Sequence, residues 1–565
     1  MRPAHLMRGA TLLALSAILS GCAADALMPD AQLITGATFI TLEAGPEPEA
    51  MLVENGQITA LGSEDSLRAQ NPGAVIADFT GQTIMPGVID SHVHVRELGM
   101  DAIKVDLVGV QTVEDIVTRI REQRPDTQPG EWIIGQGWDE GAFASYEGTD
   151  AVGGYPTARA LSEAYPDTPI ALESLHGFAA IANDTALARA GINATTVDPD
   201  GGTILRDPSG RATGILLTLA QQLLFDAVPD PSAEQREVAI LAGLNRLADA
   251  GVTSIHEAGM QAEDVAAFQA LADSGRLPIR IFGMLNGNDD ALMEDWFERG
   301  PQDDPQDWLD IGAIKIFYDG SLGSRTAILH APYTDRPDAA RPTARIPLPR
   351  VEYLAERARE RGFQMAVHAI GDAANDHVLT SFERRLAPDE TGTVPDHRWR
   401  IEHAQLVRSD FADRAAVLQV IASMQPSHAM GDSAWAADRV GSRRIRRAYA
   451  WQLLSQAGVP IIFNSDLPGE PWEPMQTLHF ATTRTRLDGT PDGGWFPQQA
   501  VDRETALRAM TIKGAHAAFQ DQNLGSLAPG KWADFIVLSD NPMTAQDVRN
   551  IKVVATYVAG RRRMD

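Results

Sequence analysis

The chain of 565 residues has one cysteine, Cys22, so no disulfide can form within it. It is also short of positive charge. Its 48 lysines and arginines face 76 aspartates and glutamates, for a formal net charge of −28. Such a surface repels phosphate backbones and anionic lipid, which argues against nucleic acid as a partner and fits a solubilising role. No stretch after residue 22 has the length and apolarity of a membrane span, and there is no internal repeat or low-complexity tract. The rest of the composition, 44% hydrophobic and 22% charged, is ordinary for a packed globular protein.

The first residues read as a targeting segment. Arg2 and Arg8 make a short basic region, residues 10–19 are an apolar run too short to cross a bilayer, and Leu19-Ser20-Gly21-Cys22 follows. This order looks like a bacterial lipoprotein signal over 1–21, with Cys22 as the lipidated first residue and 22–30 as a tether. The expected localisation is an exported protein on the periplasmic or cell-surface side. Its only membrane contact is the N-terminal lipid anchor, and Ala23 favours the outer membrane.

Residues 31–85 read as short strands with turns, for example 32–40, 50–54 and 57–61 after the turn signal Asn55-Gly56. The same texture returns at 533–538 and 553–558, preceded by Pro529-Gly530. The two β-rich ends, 31–85 and 521–565, are expected to form one composite β-sandwich domain, each covering what the other cannot bury. Between them strand signals alternate with amphipathic helical stretches such as 233–249 and 348–361. That alternation predicts an α/β fold, a (β/α)8 TIM-like barrel over 86–520, with an inserted subdomain at about 97–235. Strand ends fall near His94, His256, Phe317, His368, His403, Pro426 and Asp466, which leaves one barrel strand unplaced.

Five of the strand-like segments close on residues able to bind a divalent cation. His92 and His94 are two apart in a strand, so both imidazoles share one face. Lys315 lies between isoleucines; apolar surroundings lower a lysine pKa and make the amine nucleophilic, while the plainer alternative is a structural lysine paired with Asp319. His368 and His403 end further strands, and Asp466 ends the apolar run 459–465. A carboxylate there is poorly solvated unless it faces a cation or donors; the plainer alternative is a helix cap after Pro468. Catalytic residues of barrel enzymes occupy such strand ends.

The segments 85–94, 315–327, 367–372, 401–405, 425–428, 464–468 and 525–534 together resemble the amidohydrolase superfamily, in particular the branch containing N-substituted formamide deformylases. The resemblance implies a metal-dependent hydrolase acting on a carbon–nitrogen bond of a small-molecule amide, N-acyl or N-formyl substrate. It implies two divalent cations, with zinc as the expected metal. His92, His94 and Asp466 hold the first, His368 and His403 the second, and Lys315 bridges them as a carbon dioxide-derived carbamate. Asp466 is then the general base and acid, and His428 helps to stabilise charge on the carbonyl oxygen. Trp138 (with Asp139), His176 and Arg325 are candidates for substrate contact, and packing of the insertion is the equal alternative for Trp138 and Asp139. The ligand pattern leaves open a lactone, ester, phosphoester or deamination reaction, a non-catalytic substrate-binding lipoprotein, and a homo-oligomeric state.

Overall fold

The structure is a computed structural model that describes residues 31–139, 143, 151–175, 177–199, 201–388 and 390–563. Eight parallel strands form one sheet: β1 (Val88–Val93), β2 (Val252–Met260), β3 (Arg280–Asn286), β4 (Leu309–Phe317), β5 (Gln364–Ala369), β6 (Arg400–His403), β7 (Ile421–Met424) and β8 (Ile461–Phe463). They neighbour one another in chain order from β1 to β8. In β4 and β5 nearly every residue is buried, because helices cover the outer face and side chains fill the inner one. The strand without a sequence assignment is β3.

The seam between β8 and β1 is closed by side chains as much as by backbone. The Asp466 N–H donates to His92 O (2.9 Å), and Asp90 accepts from both the backbone N–H and the hydroxyl of Ser465 (3.0 and 2.6 Å). The barrel therefore closes at the ends of the strands that carry His92 and Asp466.

The helices Ala233–Asp249 and Leu348–Arg361 occupy the stretches read as helical from sequence. The first lies against the short helix Val95–Gly99 that follows His94. A Cβ on Gly99 would fall 1.7 Å from Ala239 O, and one on Gly243 2.3 Å from Val95 O. Only glycine at both places lets the backbones touch, and that contact fixes the segment carrying His94 and Glu97.

A five-stranded sheet pairs the N-terminal strand Thr83–Pro86 antiparallel with the C-terminal Phe535–Leu538, so both chain ends share it. A four-stranded sheet from residues 31–78 packs against it through Ile34, Met51, Val53, Ile84, Phe535 and Val537. Arg280 of β3 joins this unit to the barrel. It is fully buried, grips Asp534 through Nε (2.6 Å) and Nη2 (3.1 Å), and lies between the rings of Trp308 and Trp532.

Between β1 and β2 lies a separate six-stranded sheet made from residues 105–218, with its own apolar core. Trp138 belongs to that core. It is fully buried, its indole N–H donates to Leu172 O (3.1 Å), and its ring packs on Phe143. Trp138 is therefore a packing residue of the insertion and not a substrate contact, because an enclosed indole has no face left to offer. No helix of the described residues is long and apolar enough to cross a membrane.

Candidate metal centre

The ends of β1, β4, β5, β6 and β8 bring His92, His94, Lys315, His368, His403 and Asp466 to one mouth of the barrel. With His428, all six line a cavity of about 360 Å3. Asp466 is the hub. Its Oδ1 lies 3.4 Å from both His92 Nε2 and His94 Nε2, and its Oδ2 lies 3.8 Å from His428 Nε2 and 3.9 Å from His403 Nδ1. The His368 and His403 ring centres are 4.4 Å apart, and those of His92 and His403 are 5.5 Å apart. Two triads that include Asp466 have donor atoms within 4.8 Å of one another: His92–His94–Asp466 and His403–His428–Asp466. His428, expected at the carbonyl oxygen, thus stands equally close to a second cation position.

The backbone is bent to make this mouth. His403, Ala404 and Asp466 have φ of +73°, +40° and +54°. Non-glycine residues rarely adopt that region, and such outliers gather at functional sites where the surroundings over-determine them.

Lys315 is 1% exposed. Its ammonium lies 2.9 Å from His92 Nε2 and 4.5 Å from the centre of the Phe317 ring, and no carboxylate of the described residues is within ion-pair reach. Asp319, the alternative structural partner, is spent elsewhere: its carboxylate accepts backbone N–H groups from Ile328, Ile370 and Gly371 at 2.9 to 3.0 Å. Burial pushes the Lys315 pKa down to about 8. Burial, together with the Lys315 charge, lowers His92 to about 4 and His368 to about 3, while burial and the neighbouring His368 hold His403 well below its usual value. Burial opposes ionisation of Asp466, yet His92, His94, His403 and His428 hold its carboxyl well below the ordinary range. The result is neutral imidazoles at His92, His368 and His403 around an ionised carboxylate. This donor set fits divalent cations, which need both.

The protein matches the amidohydrolase family model over residues 75–563. The chain belongs to the amidohydrolase family. It is 32% identical over 548 residues to Protein LONG AFTER FAR-RED 3 of Arabidopsis thaliana, covering 94% of this chain and 91% of that protein. It is 28% identical over 539 residues to N-substituted formamide deformylase of Arthrobacter pascens, covering 91% and 94%. Among solved structures it is similar to an uncharacterized metal-dependent hydrolase from Pyrococcus horikoshii, with a TM-score of 0.72 and 27% identity over 92% of this chain and 99% of that one.

In this amidohydrolase the remaining candidates stand differently. The Arg325 guanidinium is held by Asp335 (Nη2–Oδ2 2.7 Å) and does not line the central cavity, which takes Arg345 instead. Arg325 is therefore an ion-pair residue of the loop after β4; its turn places the side chain toward Asp335. Asp139 is exposed at the end of the strand Ile133–Trp138. His176 and Cys22 lie outside the described residues.

Beneath the centre is a buried network with no sequence assignment. His92 Nδ1 lies 2.5 Å from Glu402 Oε2, so the neutral ring donates there and keeps the Nε2 lone pair for the mouth. Glu402 is fully buried and is held by both Nε and Nη2 of Arg400 and by the Ser423 hydroxyl (2.7 Å). Arg400 and Glu402 are two apart in a short buried strand, and opposite charges at that spacing are a legible sign of a pair inside the barrel. His403 Nδ1 is similarly placed against Gln425 Oε1 (2.8 Å), whose amide donates to Asn464 (2.7 Å).

Proposed function

We propose that this amidohydrolase hydrolyses a carbon–nitrogen bond of an amide, N-acyl or N-formyl compound, using two divalent cations, zinc in the first instance, held by His92, His94, His368, His403, Asp466 and a carbamate on Lys315. The observation that carries this reading is Lys315 itself: a buried amine beside the imidazoles of the mouth, with no carboxylate of the described residues within ion-pair reach. Carbon dioxide adding to the free amine, with loss of a proton, gives a carbamate whose oxygens suit a cation pair better than an ammonium does.

Bound cations supply Lewis acidity and lower the pKa of water. The chain's own groups do the rest. Asp466, ionised at the hub, takes the proton of the water that adds to the carbonyl carbon and passes it to the departing nitrogen. The new bond is C–O, the broken one is C–N, and the products are an acid and an amine. His428 Nε2 is placed to donate to the oxygen on which charge develops. Glu402 and Gln425 keep His92 and His403 in the tautomers and orientations this requires. The similarity to the Arthrobacter deformylase supports the choice of bond. Anchoring through Cys22 on the periplasmic or cell-surface side, with the outer membrane favoured, belongs to the same reading; a Cys22→Ser protein should leave the membrane fraction, and retention there would reject it.

The reading is tested by screening N-formyl and N-acyl compounds against zinc-reconstituted protein beside metal-free protein. Release of amine by the reconstituted protein alone supports it. Equal activity in a folded, metal-free preparation refutes it.

A further inference from the structure

A second cavity, of about 370 Å3, adjoins the central one and shares His94, Phe317 and Asp466 with it. Its further polar lining is Arg96, Glu97, Glu257, Gln261 and Asp264. Two of these acids have cationic partners. Asp264 holds Arg236 (2.5 Å) and Arg96 (3.2 Å), and Glu97 holds Arg96 (2.8 Å). Glu257 has none among the described residues. Only 6% of it is exposed, and its Oε2 accepts the Val95 N–H (2.9 Å). Nothing among the described residues donates to its other oxygen. Burial, with Glu97 beside it, holds its carboxyl well above the ordinary carboxylate range, so ionising it in place is costly unless a cation comes to it.

That cation would find a ready-made set of donors. One donor atom from each of His94, Glu97 and Glu257 lies within 4.8 Å of the others, the same span as in His92–His94–Asp466. His94 is common to both triads. His94 and Glu97 are three apart across the start of the helix Val95–Gly99, which puts both on one side of it. The two triads differ in depth: the His92 side chain is 1% exposed, whereas that of His94 is 27% and that of Glu97 44%.

We infer that His94, Glu97 and Glu257 form an outer divalent-cation site from which ions pass to the inner triad, with His94 exchanging one set of partners for the other. Because His94 serves both, the outer site is a station on the way in and not an extra resident ion. Glu97 and Glu257 supply the oxygens of the station; His94 hands the ion on to Asp466. The inference rests on the inner residues taking a divalent cation, and its test separates the two ideas.

The probe is zinc alone, added to metal-free full-length protein, with uptake followed by competition with a chromophoric chelator and final content measured by elemental analysis. Glu257→Gln keeps an oxygen for the Val95 N–H and removes the charge. It should load zinc at least about tenfold more slowly than the wild type, the lower end of what a charged cleft adds to an on-rate, and reach the same final content. Glu97→Gln, on the exposed side, should slow loading in the same direction. Glu263→Gln, which removes a charge from the exposed start of the next helix, should load at the wild-type rate. Loading of both Glu257→Gln and Glu97→Gln at the wild-type rate overturns the inference and leaves the inner centre standing, as does equal slowing in Glu263→Gln. A wild-type protein that retains no zinc overturns both.

Discussion

Removal of Glu402 should separate two effects that a single substitution confuses. Arg400 and Glu402 are both fully buried, and Glu402→Ala leaves the guanidinium without its partner. Breaking such a pair from one side costs about 3–5 kcal/mol, so the metal-free variant should unfold at clearly lower urea than the wild type. In Arg400→Met/Glu402→Leu neither charge remains, and most of that loss should return, to within about 1 kcal/mol of the wild type. The His92 imidazole has still lost the acceptor for its Nδ1 proton. Outer partners of metal-binding histidines are worth about 10–100-fold in affinity, so the double variant should bind zinc weaker by that factor while folding normally. Urea titration of metal-free protein gives the first quantity, and zinc competition titration gives the second. A double variant that binds zinc like the wild type, or a Glu402→Ala protein of undiminished stability, refutes the role given to this pair.

Asp310, at the barrel end away from the cavity, is buried and its pKa is pushed up by that burial to about 7. The folded state therefore holds its proton more tightly than the unfolded chain, and stability from this group is full below about pH 4 and lost as pH rises through 7. Asp310→Asn should gain roughly 2–4 kcal/mol over the wild type at pH 8 and little at pH 4, since Gln520, whose Oε1 has no partner, can turn its amide to accept from the new one; equal stability at both pH values contradicts this. Trp138→Ala should destabilise the insertion by about 3–5 kcal/mol in calorimetry yet leave zinc affinity unchanged, and a fall in zinc affinity would return Trp138 to the site. Lys315→Ala should lose bound metal and regain part of it with short carboxylic acids, whereas normal metal content without them excludes a bridging carbamate.

The sequence made the candidate donors legible because they fall at or near the ends of strand-like segments, His368 and Asp466 after apolar runs, and at the mouth of a barrel a polar strand end has few other reasons to exist. β3 escaped for the converse reason: Arg280–Asn286 closes on Asn286 with no metal-type side chain, and Gly283 interrupts its apolar run. The role of Glu402 is not legible locally, because its partner His92 lies 310 residues away and leaves no trace in the sequence around it. The burial of Trp138 is not legible locally, because its cover comes from tertiary contacts with Leu172 and Phe143. The left-handed backbone at His403 and Asp466 has no local sequence cause at all. Tertiary contacts impose it, among them the Asp466 N–H on His92 O.

The most direct measurement is anomalous diffraction at the zinc edge from crystals grown with zinc. The account places strong peaks within about 2.0–2.2 Å of the imidazole nitrogens and carboxylate oxygens of His92, His94, His368, His403 and Asp466, with extra density on Lys315 Nζ. Zinc bound only elsewhere, with those side chains unligated and Lys315 a bare amine, would contradict it.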